Sequence, residues 1–409
     1  MKKVLKISLL TCLFLTNTYA QEKTDKDIDK VNSFSKMFSN GDISAQVKLI
    51  TAGYNQKAKG VTDTYATAIG GKLKYELASY NGFSAGIEGV ISQDIDPLTG
   101  DKEKQNIELS SDKSTYIQMS ELYLNYKYKN FNVRAGKQTI DTPLVDSDDT
   151  RMISNTFEAY IANYEYNNFT FTFGNLQKFQ GVDAGLGSDN EDEWLDIGTN
   201  GAWFGGINYS SIVDVNIWYY DISGDVEKVH ATYIDLSKDY NINENISIHG
   251  GLQYLHEADL KGSEIEADIY GAMAELAIYN LGFNIAYNYS DGKSKKRSFS
   301  GLGGGTMYTS MDTMIIDEIA DDRDAQAIIT GVTYDVGDWN FLYAYGDFDG
   351  KQNSFGEDAH IVEQNIGFTY TFNNNLELAA IYVSQEDKKN TIKTENDWNR
   401  YQVTVKYDF

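Results

Sequence analysis

Tyr401-Gln402-Val403-Thr404-Val405-Lys406-Tyr407-Asp408-Phe409 closes the chain, and its reading decides the fold. Apolar residues at 401, 403, 405, 407 and 409 alternate with polar ones at 402, 404, 406 and 408. That is the period of a β-strand with two unlike faces, not of a helix. One face wants oil and the other wants water. Working back from this strand, the same period recurs from residue 41 onward. Ile43, Ala45, Val47 and Leu49 oppose Asp42, Ser44, Gln46 and Lys48; Ile69, Leu73, Tyr75 and Leu77 oppose Gly70, Lys72, Lys74 and Glu76.

The links between these runs alternate in length. Tight ones fall at Tyr80-Asn81-Gly82, Lys129-Asn130, Asn167-Asn168, Ser210-Ser211, 241–245, Asn280-Leu281-Gly282, Val336-Gly337-Asp338 and Asn373-Asn374-Asn375, most of them rich in the Asn and Gly that hairpins favour. Longer polar links lie near 55–62, 93–114, 139–156, 175–201, 223–228, 257–264, 290–323, 347–359 and 384–397. Eight tight and nine long links predict eighteen antiparallel strands. Pro97 and Pro143 both sit in long links, where a missing N–H breaks no ladder.

Composition closes off the main alternatives. The 409 residues include 30 Tyr, 19 Phe, 5 Trp and 35 Gly, against 2 Pro and 1 Cys. So many rings argue against a disordered chain. Mean hydropathy is −0.44, and past the N-terminal segment no stretch is long and apolar enough for a membrane-crossing helix. A formal net charge of −25 argues against nucleic acid, whose phosphates would be repelled.

Lys2, Lys3 and Lys6, an apolar run over 4–15 and the small-x-small end Thr18-Tyr19-Ala20 read as a secretory signal peptide over 1–20, cleaved after Ala20. Cys12 lies inside it, and Leu9-Leu10-Thr11 makes a poor lipobox, so no lipid anchor is expected. Residues 21–40 form a short polar tail, too small to be a plug, and 41–409 form the barrel.

The aromatics favour a membrane barrel over a secreted sandwich. Tyr75 and Phe83, Tyr128 and Phe131, Tyr166 and Phe169, Tyr209, Tyr279 and Phe283, Tyr334 and Trp339, and Phe372 flank the tight turns, with Phe409 at the same level. Rings at one constant depth are what a bilayer interface selects. Closure removes the sheet edges that lipid would leave unpaired. The expected fold class is all-β: a transmembrane antiparallel β-barrel of about 18 strands, with short periplasmic turns and long extracellular loops, in the outer membrane of a Gram-negative cell.

If the aromatic-bearing face meets lipid, the alternate face lines a bore wide enough to hold water. Lys48, Lys72, Lys74, Lys127, Arg134, Arg400 and Lys406 lie on that face, all on the last strand and the first five. Closure makes those strands neighbours. The expectation is a pore-lining basic wall that guides anionic groups such as carboxylates; ordinary solvated lumen charge is the plainer alternative. The link 139–156 carries Asp141, Asp146, Asp148, Asp149 and Arg151, with Pro143 limiting its flexibility. Folded inward as a constriction loop, it would set its carboxylates across from the wall. The longest link, 290–323, is the second candidate to fold inward. An exposed surface loop is the alternative for both.

Gly136-Lys137-Gln138, Pro143, Asp148-Asp149-Thr150-Arg151 and Thr156-Phe157 together resemble the third-loop region of OprD-type outer-membrane porins. Members usually carry a Pro shortly before the Thr-Phe pair, where this sequence has Ser154, so a less rigid loop is expected. The resemblance implies an eighteen-stranded barrel, loops that narrow the pore, a ladder of basic residues, and energy-free passage of small solutes, often amino acids or carboxylates.

Other chemistry is thinly represented. His230, His249, His256 and His360 lack zincin spacing, so no metal site and no cofactor is expected. Asp189, Glu191, Asp192, Glu193 and Asp196 do not have the spacing of an ordered calcium loop, so a solvated outer face is expected there. A Ser–His–acid set built on His249 is the one enzymatic alternative, and no enzyme activity is expected. The leading function is passive, partly selective diffusion of small hydrophilic solutes and ions; the alternative is a surface barrel for adhesion or structure with a loop-occluded lumen. Expected partners are outer-membrane lipid and lipopolysaccharide, solutes in transit, and the barrel-assembly machinery through the strand ending in Phe409. Association into a homo-oligomer stays open.

Overall fold

The computed structural model describes residues 30–109, 115–181, 194–197, 201–223, 228–260, 262–299, 301–304, 306–373 and 375–409. The segment 1–20, the first part of the tail, and Asp189, Glu191, Asp192 and Glu193 lie outside them. Eighteen antiparallel strands form one closed barrel. They are β1 (Asp42–Gln56), β2 (Thr64–Glu76), β3 (Phe83–Asp94), β4 (Thr115–Tyr128), β5 (Phe131–Gln138), β6 (Thr156–Tyr166), β7 (Phe169–Gln180), β8 (Ala202–Ser210) and β9 (Asp214–Ser223). Then follow β10 (Lys228–Asn243), β11 (Ile246–Asp259), β12 (Ala267–Ile278), β13 (Leu281–Gly292), β14 (Ala325–Val336), β15 (Trp339–Gly350), β16 (Ala359–Thr371), β17 (Leu376–Asp387) and β18 (Trp398–Asp408). Each barrel strand pairs with the next, and β18 returns to β1 with Gln46 opposite Asp408 and Gln56 opposite Trp398.

Short links gather at one rim. Lys129, Asn167 and Tyr279 open two-residue turns with φ of 53°, 53° and 52°, and Asn81-Gly82 does the same with 52° and 88°. Left-handed turn residues of this kind match the twist of the flanking strands. One turn is shorter than its Asn-rich sequence suggests: the ladder continues through an irregularity at Asn241–Asn243, leaving only Glu244 and Asn245 outside it. The outward face is the expected one, with Ile43, Leu73, Phe83, Leu124, Tyr166 and Phe409 all exposed. The tail is more ordered than its polarity suggests. Lys30–Val31 pairs in parallel with Ser79–Tyr80, and a helix, α1 (Phe34–Ser39), follows.

The inner face departs from a uniformly polar lumen. On β6 to β16, Phe157, Phe204, Trp218, Tyr220, Tyr233, Leu255, Ile269 and Phe348 point inward and are buried. Phe204, Trp218 and Tyr220 stack as a ladder with centroids 6.1 to 6.4 Å apart. Two of these rings lie over glycines of the preceding strand: a Cβ on Gly174 would stand 2.2 Å from the Phe204 ring, and one on Gly206 2.4 Å from Trp218.

The cause lies in the long links. The third loop (139–155) and seventh loop (293–324) fold inward, packing Leu144, Val145, Leu302, Met307, Met311 and Met314 against that wall. The Leu144 N–H donates to the Tyr220 hydroxyl at 3.3 Å, and Gln253 donates to the Thr306 carbonyl at 2.6 Å. The two loops also meet each other, as Asp146 N–H donates to the Leu302 carbonyl at 3.0 Å and Leu302 N–H to that of Leu144 at 2.9 Å. Alternation reveals which residues point inward, but not that loops will cover them.

Candidate functional site

Closure brings the seven expected cations onto adjoining strands. Lys48 lies opposite Lys406 across the β1–β18 seam, Arg400 opposite Tyr54, Lys72 opposite Gln46, Lys74 opposite Glu88, Arg134 opposite Asn125, and Lys127 opposite Asn132. A bulge at Ser120 reverses the parity of β4, so Glu121 joins the inner face. There it meets Lys74 at 2.7 Å.

The loops bring carboxylates to this wall. Lys48 Nζ sits 2.9 Å from Asp149 of the third loop and donates to the Arg151 carbonyl at 3.0 Å. Arg400 holds Asp312 of the seventh loop at 2.7 Å and Glu108 of the second loop (95–114) at 3.0 Å. Arg151 Nε stands 3.8 Å from the same Glu108, and Lys406 lies 3.3 Å from Glu377. Arg134 lies 4.3 Å above the Tyr123 ring. Lys48 is 3% exposed and Arg400 0%, so these two are sealed under loops, not presented to an open bore. Lys72, Lys74 and Lys406 are half-buried, and Lys127 is exposed.

The third-loop residues divide. Asp149 and Arg151 reach the wall. Asp141 is exposed and accepts the Ser147 N–H and hydroxyl at 3.1 and 2.6 Å, while Asp146 accepts the Asp148 N–H at 2.7 Å. These two shape the loop's own turns. Burial alone would raise the Asp149 carboxyl, but Lys48 and Lys72 outweigh it and hold it well below the ordinary carboxylate range. Burial likewise opposes ionisation of Glu108, and Arg400 and Arg151 overcome it, bringing the group down to about 2. Both are therefore carboxylates at neutral pH.

Glu108, Asp312, Tyr54 and Thr313 join the candidate site without a clear mark in the sequence. Tyr54 had a signal, since its parity is that of Lys48. The two acids sit in non-periodic loops among many others. Outward of Arg400 opens a cavity of about 940 Å³ between the seventh loop and strands β1 and β16 to β18, with Thr313 and Met314 in its lining. Glu318, Asp321, Glu357, Asp358, Asp387 and Glu395 line it against Arg323 and Lys389, so its mouth is acidic.

A family model described as outer membrane porin, OprD family, matches residues 79–409. The chain belongs to the OprD family of outer-membrane porins. Solved structures agree in fold: Acinetobacter baumannii OccAB3 superposes with TM-score 0.78 at 12% identity, covering 91% of this chain and 99% of that one. OccAB4 of the same organism gives 0.77 at 14%, covering 90% and 98%. Pseudomonas aeruginosa OpdK, solved with vanillate, gives 0.74 at 15%, covering 90% and 98%. No curated protein matches. OprD-family porins are substrate-specific channels for small molecules in the Gram-negative outer membrane, and they are channels, not enzymes. In this OprD-family porin, His249 contacts Asp239 at 2.7 Å, directly across the β10–β11 pair.

Proposed function

We propose that this porin gives passive, partly selective diffusion to amino acids and small carboxylates. The observation that carries the reading is the Asp149 carboxylate, anchored by the sealed Lys48, with half-buried Lys72 one strand along and Lys74–Glu121 beyond it. Both signs of charge stand within the length of one small solute. A zwitterion matches such a surface at both ends, and a carboxylate matches its cations, while a neutral sugar pays desolvation of the wall without replacing it. The acidic outer cavity acts before this step by holding ammonium groups at the mouth.

Liposome swelling with alanine-sized zwitterions, small carboxylates and neutral sugars of equal size tests the reading. Zwitterions and carboxylates entering faster than the sugar is the expected result; equal rates would overturn it. Stepwise conductance in planar bilayers separates a channel from the adhesion barrel with an occluded lumen. The same proposal includes removal of residues 1–20, read by an N-terminus at Gln21 in the membrane-extracted protein. It also includes lipopolysaccharide around the barrel and delivery to the assembly machinery through exposed Phe409, whose N–H pairs with the Ala45 carbonyl at 2.8 Å.

A further inference from the structure

We infer that residues 30–40 are a membrane-interface anchor, with α1 lying in the headgroup layer at the periplasmic rim and Phe34 and Phe38 set into lipid. Tyr75 stands on the outward face of β2, opposite Ile43 and Ile87, which are 66% and 43% exposed. Its hydroxyl donates to the Phe38 carbonyl. Its ring would stand 2.6 Å from a Cβ on Gly41, so a larger residue there would have to push the ring aside. The end of α1 is thereby fixed on the lipid side of the wall and not beneath the bore.

One face of α1 is spoken for. Met37 is buried, and its carbonyl accepts the Ala78 N–H at 3.0 Å. The parallel register Lys30–Ser79 and Val31–Tyr80 ties down the start of the segment. The other face is apolar and uncovered. Phe34 and Phe38 are 65% and 51% exposed and meet edge-to-face at 5.5 Å. Phe38 meets Tyr75 through its carbonyl, and Tyr75 stands between exposed Ile43 and Ile87 on the outward face. The uncovered surface is thus continuous with the surface that an outer-membrane barrel gives to lipid. Lys30 precedes α1, and Lys36, two positions from each ring, lies on the opposite face of the helix; both are exposed. Ammonium groups on the polar face of a helix whose other face carries inserted rings suit a phospholipid headgroup layer, with the phosphates as the anionic partner. The occupant is therefore phospholipid of the periplasmic leaflet.

Spin labelling tests this on the full chain with Cys12→Ser, folded into nanodiscs of phosphatidylethanolamine and phosphatidylglycerol. A nitroxide is attached at Phe38→Cys, and separately at Phe34→Cys in case the first variant folds poorly. Phe131→Cys in the girdle and Glu244→Cys in a tight turn serve as references. The expected result is collision with oxygen exceeding that with an aqueous nickel chelate, as at Phe131. Nickel preference as at Glu244, or protection from both reagents as under a protein partner, would overturn the inference. Neither outcome depends on which solute the pore carries.

Discussion

Glu108 shows how much one loop carboxylate is asked to do. It sits between Arg400 and Arg151 and accepts the Tyr54 hydroxyl at 2.7 Å. Its folded-state ionisation at about 2 lies below the ordinary carboxylate value, so its contribution is complete above that ordinary value and is lost as pH falls towards 2. Acidification from pH 6 to pH 3 should therefore loosen the second loop, read as faster proteolysis within 95–114. Glu108→Gln should show that loosening already at pH 7, with little further change on acidification; a variant as resistant as the parent would contradict the role. Asp312→Leu should do more harm, because it leaves Arg400, fully buried, with one anionic partner fewer. Breaking a buried pair from one side costs about 3–5 kcal/mol. A urea titration of the detergent-folded protein would show that loss, and an unchanged midpoint would refute it.

At the scale of elements, strands and turns could be read from the chain, and the third and seventh links could be named as candidates to fold inward, but not which wall they would cover. Ile43, Val47 and Leu49 declare their face by period alone, and Asn81-Gly82 declares its turn by chemistry, because both signals are local. Phe204 and Trp218 point where alternation says, but what buries them comes from distant loops, through residues such as Leu144 and Met307. Nothing periodic marks 293–324 as a lining. The Ser120 bulge is similarly silent, being one extra residue in an otherwise regular strand. Trp218→Ala should open a hole beneath Tyr220 and over Gly206, costing about 3–5 kcal/mol in folding stability. The seventh loop carries its own titrating group. Burial lifts Asp317 to about 6 despite its 2.9 Å bond from Ser298. Its folded value lies above the unfolded one, so the loop gains stability as pH falls through 6 towards the ordinary carboxylate range. Amide protection across 298–320, after correction for the intrinsic pH dependence of exchange, should be greater at pH 5 than at pH 7.5, and Asp317→Asn should abolish the difference; equal protection in the parent protein would refute it.

For the molecule as a whole, the barrel supplies a cylinder and the loops decide what is left of its bore. Apolar filling on β6 to β16 pushes the open space towards β1 and β16 to β18, where the paired charges are. Deleting 299–320 removes Met307, Met311, Met314 and Asp312 together. Single-channel conductance should rise and discrimination between zwitterion and sugar should fall. Unaltered conductance would mean that the loop does not restrict the path. The backbone bridge from Asp146 and Leu144 to Leu302 adds a constraint on how such channels diversify. Neither insert is an independent module, since each completes the other's peptide pairing deep inside the cylinder. A chimera that takes one insert from a relative inherits half of a joint. New preferences should therefore arise from matched transplants of both, and a single graft should leave a poorly folded or leaky product.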